Sequence, residues 1–63
     1  MKFNIRELRK ERHMSQMELA KKSKVSRSLI SGLENGSTTV TSTETLRKIA
    51  DALGSKVSDI FLD

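Results

Sequence analysis

Cysteine is absent from this 63-residue chain, as are proline, tryptophan and tyrosine. Without cysteine, neither disulfides nor thiolate metal sites can staple a small fold, and a reducing, cytoplasmic setting is expected. The lack of proline excludes collagen-like and proline-rich architectures. Aromatic residues are limited to Phe3 and Phe61, which disfavours a protein built on aromatic stacking. No apolar run approaches the roughly 20 residues of a membrane span, and no signal-peptide pattern opens the sequence, so no membrane partner is expected. Chains of this size bury only about 60% of their unfolded surface. Stability must therefore come from well-formed helices, from oligomerisation, or from both.

Catalytic signals are equally scarce. His13 is the single histidine, in a basic helical context, and no cysteine stands anywhere to partner it. The HExxH, GxSxG and P-loop patterns do not occur, so metal-assisted hydrolysis, acyl transfer and nucleotide binding lack their residues. A pocket of several hundred Å³ is hard to enclose with so short a chain. The sequence reads as a non-enzyme with no cofactor, no metal and no small-molecule ligand.

What is present is charge, unevenly placed. Residues 1–27 hold nine Lys/Arg against three Glu, a balance of +6, and residues 28–63 hold three against five, a balance of −2. A basic half attracts polyanions, although a solvated basic surface has the same composition.

The second abundant feature is helix punctuation. Asn4 with Glu7, Ser15 with Glu18, and Thr41 with Glu44 have capping-box spacing, and Ser26 is a good N-cap. Phe3/Leu8, Met14/Leu19 and Val25/Ile30 stand at staple spacing beside them. Gly36 and Gly54 follow Asn35 and Leu53 as stop signals. These marks predict helices near 4–12, 15–22, 26–34 and 42–53, and a short last helix from about Val57, the C-terminal helices together spanning about 42–62. Leu46, Ile49, Ala50 and Leu53 recur at i, i+3, i+4, i+7, with Ile5, Leu8, Leu19, Ala20, Val25, Ile30 and Leu33 completing one core. The expected architecture is all-α, a compact bundle of five short helices forming one domain over residues 1–63.

Residues 16–35 read QMELAKKSKVSRSLISGLEN. Small Ala20 sits where a second helix must cross closely, Val25 falls in the turn, and Ile30 and Leu33 face back. Two short helices joined this tightly make a helix-turn-helix pattern over about 15–35, although an ordinary helical hairpin uses similar residues. Four ordered fragments extend the match: IRELRKERHMSQMELA, VSRSLISGLENG, TETLRKIADALG and VSDIF. From about Ile5 to Phe61 the chain resembles the Cro/cI-type (XRE-family) helix-turn-helix regulators.

That resemblance implies a lambda-repressor-like domain whose third helix lies in the major groove of double-stranded DNA. Arg27 and Ser28 match the first exposed positions of that helix, with Ser31 and Gly32 one turn later and Thr38 beyond it, as base contacts. Ser15 and Gln16, at the start of the second helix, and Asn35 and Ser37 match phosphate-contacting positions. Physical chemistry agrees for Gln16, because a helix N-terminus attracts anions. Arginine at position 27 has the fork geometry for guanine O6 and N7. Arg9 and Glu34 match a structural ion pair. The resemblance also implies a homodimer repressing transcription from a palindromic operator, for which Val57, Ile60 and Phe61 are candidate interface residues. An anti-repressor or another regulatory protein is a possible further partner. The alternative reading is a protein-interaction module, or an antitoxin-like regulator, of the same fold.

The chain departs from the family at several positions. Lys24 and His13 stand where glycine is common, Gly32 has no side chain where relatives place a reader, and Leu29 is apolar where a small polar residue is usual. Leu29 is expected either to be partly buried or to pack against a thymine methyl, with burial the favoured reading. The loop from Ser37 to Thr41 lacks the usual proline and basic residues.

Overall fold

The computed structural model describes residues 3–38 and 41–61. Thr39 and Val40 of the loop after the third helix, and Leu62 at the expected end of the last one, lie outside the described residues. Among those described, five helices run in order: α1 (Ile5–Glu11), α2 (Gln16–Ser23), α3 (Arg27–Asn35), α4 (Thr43–Leu53) and α5 (Val57–Ile60). Every one begins within about a residue of its sequence signal.

The start signals of α2 and α3 act as their spacing predicts. Ser15 Oγ accepts from the Glu18 N–H at 3.0 Å, and Glu18 Oε1 accepts in return from the Ser15 N–H at 3.0 Å. Ser26 Oγ accepts from the Leu29 N–H at 3.2 Å. Two other boxes need correction. Asn4 makes no side-chain cap, because its backbone (φ −98°, ψ 35°) is not the extended conformation that capping requires. Its N–H instead donates to the Ile60 carbonyl, and Phe3 pairs with Phe61 in an antiparallel bridge with ring centroids 5.8 Å apart. The tie between these two segments therefore decides how the chain enters α1. At α4 the cap is Ser42, not Thr41, and its Oγ accepts from the Thr45 N–H at 3.1 Å. Glu44 lies in the first turn and faces Lys48 at 3.8 Å.

Two helices stop at non-glycine residues in the left-handed region, His13 (φ 54°) and Lys24 (φ 62°). After α1 the Met14 N–H reaches back to the Arg9 carbonyl at 3.0 Å, and after α2 the Lys24 N–H reaches Ala20 at 2.9 Å. These bonds close the helix ends despite the steric cost of a Cβ there.

The core is continuous. Ile5, Leu19, Ile30, Leu33, Ile49 and Ile60 are fully buried, one or two from each helix. The α4 stripe of Leu46, Ile49, Ala50 and Leu53 is buried throughout, and Ala52 joins it from the flank. α4 packs on α2 and α5, α2 on α3, and α1 on α3. Leu29 and Ala20 are half-buried against this cluster. Arg12, which no sequence signal marked, extends from the end of α1 to the end of α4. It donates to the Leu53 carbonyl, to the Leu8 carbonyl at 3.2 Å and to Ser55 Oγ at 3.0 Å. A cation there meets carbonyls that no helical N–H can satisfy.

Lys24→Gly removes the Cβ from a left-handed position that is otherwise solvent-exposed. It is expected to stabilise the fold by about 1 kcal/mol, a rise of roughly 4–8 °C in the thermal midpoint of so small a domain. An unchanged or lower midpoint in a melting experiment would show that the lysine side chain offsets the strain.

Candidate nucleic-acid interface

The two helices α2 and α3 are joined by Lys24, Val25 and Ser26, the tight turn that their capping residues enforce. Val25 and Ile30 are buried, which fixes α3 against the core by one face and turns the other outward. On the outward face Arg27 and Ser28 are exposed and Ser31 is half-buried. They share an open groove of about 430 Å³ with Gln16, Gly32, Asn35, Ser37 and Thr38. The groove wall is small and polar, with a single guanidinium at Arg27. Ser15 is exposed beside it, its oxygen already occupied by the Glu18 N–H. Asn35 and Ser37 are also exposed, but Asn35 Oδ1 accepts from the Ser37 N–H at 2.8 Å, which fixes the chain as it leaves α3.

Two residues sit differently from expectation. Gly32 is not on the exposed face: it is buried, with the side chains of Thr38 and Ser37 directly over its Cα. The turn after α3 folds back along the helix, and a Thr38 N–H bond to the Gly32 carbonyl at 3.1 Å holds it there. Ile60 has no accessible surface, so it belongs to the core and has nothing to offer a partner. Val57 and Phe61 on either side are half-buried against the same core.

Behind the groove lies a compact charge cluster. Arg9 Nε is 2.8 Å from Glu34 Oε2 and its Nη2 is 3.0 Å from Oε1, a two-pronged fork onto one carboxylate. The remaining Arg9 nitrogen donates to the Met14 carbonyl at 2.7 Å, in the turn between α1 and α2. Gln16 Nε2 donates to Glu34 Oε1 at 3.2 Å, and Arg6 approaches the same oxygen at 3.4 Å. The Glu34 side chain is wholly buried and that of Arg9 is 12% exposed. Burial alone would raise the Glu34 carboxyl. The hydrogen bonds from Arg9 and Gln16, the Arg9 charge and the Arg6 bond outweigh it and hold the group below the ordinary glutamate range. Arg9 moves the opposite way, raised chiefly by its hydrogen bond to Glu34. Arg6 was not singled out in the sequence. It sits three residues before Arg9, one helical turn away on the same side of α1, and that spacing is the signal that would have found it.

Among the described residues no group of His, Cys, Asp and Glu is arranged to hold a metal ion, and no helix is long and apolar enough to cross a membrane.

A pair of capped helices set tightly together, with an exposed polar and cationic face on the second, defines a helix-turn-helix DNA-binding domain. The sequence profile of the helix-turn-helix family matches residues 5–60. The crystal structure of the restriction-modification controller protein C.AhdI from Aeromonas hydrophila superposes with a TM-score of 0.83 and 37% identity, covering 90% of this chain and 85% of that one. No curated protein matches. The chain belongs to the helix-turn-helix family of the XRE type, and its function is DNA-binding transcriptional regulation. The family and fold are those of regulators, not of enzymes.

The Arg9–Glu34 fork yields two expectations. Arg9→Ala strands a buried carboxylate and should cost about 3 kcal/mol, close to the whole stability of a domain this small. Urea denaturation checks it, and an unchanged midpoint would show that the fork contributes nothing. Because the folded-state carboxyl of Glu34 is depressed, its contribution is complete above the unfolded value, near 4.5, and is lost as pH falls through the lowered folded value. Glu34→Gln should therefore flatten the acid limb of a stability-against-pH curve.

Proposed function

We propose that this protein is a repressor that binds a palindromic operator as a homodimer, each α3 reading one half-site in the major groove. The observation that carries this reading is the groove face itself: Arg27, Ser28 and Ser31 on one side of α3, open to solvent, small enough for close approach and cationic at the leading end. Arg27 would fork onto a guanine, with Ser28 and Ser31 contacting neighbouring base edges. Ser15 and Gln16 at the start of α2, with Asn35 and Ser37 beyond α3, would meet phosphates on either side. Thr38 joins the base-contacting set, whereas Gly32 leaves it, being covered. Arg9 and Glu34 act from behind, through the position of Gln16 and of α3.

The dimer follows from reach, since one such helix reads too few base pairs for operator specificity. Two α3 helices about one DNA turn apart would match an inverted repeat. Val57 and Phe61 remain the interface candidates, being half-buried at the α5 end. Repression would follow from occupancy that blocks polymerase. That the structural relative is a restriction-modification controller supports a regulatory output for this chain as well. The proposed unit is one domain over residues 1–63, working in the cytoplasm. The interaction-module reading is less well supported, because interaction surfaces favour aromatic and large apolar anchors and this face has none among its described residues.

Selection of bound duplexes from a randomised pool, then titration across a salt series, tests the proposal. An inverted repeat bound at least about a thousandfold better than random DNA is the expected result. Weak, steeply salt-dependent binding with no enriched sequence would reduce the basic half to a generic phosphate surface. On the selected duplex, Arg27→Ala should lose about 1–3 kcal/mol and relax the preference at one base pair. Sedimentation that finds only monomer, free and on the duplex, would remove the dimer.

A further inference from the structure

Gly32 lies in the middle of a helix, where glycine is the least favoured residue after proline. Its φ is not in the left-handed region, so no backbone requirement explains it. The explanation is steric. An ideal Cβ built at position 32 would overlap Thr38 Oγ1, stand 3.1 Å from Thr38 Cβ and reach within 3.4 Å of Ser37 Oγ. Rotation about χ1 would move Oγ1 aside, but Thr38 Cβ is fixed to the backbone and at 3.1 Å is already closer than ordinary contact. The backbone adds a second constraint, since the Thr38 N–H is bonded to the Gly32 carbonyl at 3.1 Å. The Asn35 cap on the Ser37 N–H fixes the residues between. Thr38 is thus held by its own N–H bond to Gly32 and by the capped Ser37 before it, while remaining half-exposed on the wall of the groove.

We propose that positions 32 and 38 form one specificity determinant. The Thr38 side chain occupies the place that a residue-32 side chain would take, and it presents there the base-reading group that α3 lacks. A side chain at position 32 and the threonine at 38 compete for the same space. Threonine suits the role, because its hydroxyl both donates and accepts and its methyl can pack against a thymine methyl. The pinned backbone makes it act as part of α3 rather than as a mobile loop residue. This rests on α3 being the groove-facing helix.

The test compares base preferences for wild type, Arg27→Ala, Thr38→Val, Thr38→Ser, Gly32→Ala and Gly32→Ala/Thr38→Ala, each read from the same randomised-duplex pool. Thr38→Val keeps the shape and loses the hydroxyl; Thr38→Ser does the reverse. At least one should change discrimination at a single base pair by about tenfold, distinct from the pair governed by Arg27. Gly32→Ala should disturb that same base pair, and its effect should shrink when Thr38 is already alanine. If neither Thr38 variant changes any preference while Arg27→Ala does, this inference fails and the reading of α3 stands. If Arg27→Ala also changes nothing, the groove reading itself fails. Should Gly32→Ala not fold, the two Thr38 variants still decide the matter. A Gly32→Ala protein that folds and keeps the wild-type preference would overturn the steric exclusion.

Discussion

Glu34 carries a charge with no exposed side-chain surface, and an ion removed from water is costly unless close partners replace its hydration. Arg9 and Arg6 are those partners from α1, and Gln16 is the partner from the start of α2. Satisfying one carboxylate therefore fixes three relations at once: α1 against the end of α3, the first residue of α2 against both, and the α1–α2 turn through the Met14 carbonyl. The apolar core sets how closely the helices pack. The Glu34 cluster sets which faces they turn outward, because a fork onto a carboxylate is directional where apolar contact is not. The groove face of α3 is a product of both.

Legibility in the sequence followed the range of the interaction. Ser15, Glu18 and Ser26 could be read because a cap and its helix lie within four residues of each other. Asn4 carried the same local signal and was overruled from far along the chain by Ile60 and Phe61, which nothing nearby announces. Thr41 and Ser42 adjoin, and Glu44 stands at capping-box spacing from Thr41 although Ser42 is the cap. At the candidate site, the outward placement of Arg27 and Ser28 was readable from periodicity and family likeness together. The burial of Gly32 was not, since it depends on a turn doubling back after α3. Arg12 carries no local signal for a similar reason, as its carbonyl partner at Leu53 is 41 residues away.

The groove has the character of a surface fitted to a shaped polyanion. Its serines, threonine and glycine let the scaffold come close, and three polar groups in or beside it are already held: Ser15 by Glu18, Gln16 by Glu34 and Asn35 by Ser37. Groups fixed before binding lose little conformational freedom when they meet a partner. Recognition by such a face depends on the position of its backbone as much as on the identity of its residues.

The Phe3–Phe61 bridge links residues at opposite ends of the described chain. Contacts between segments this far apart in sequence carry no local signal, and such a clasp can open locally without unfolding the helices between. The α2–α3 unit is assembled from sequence neighbours. Transient opening at the clasp would thus expose the amides around Asn4 and α5 to hydrogen exchange while α3 stays in place. The α2–α3 turn is held by near neighbours in sequence, the clasp by residues from across the fold.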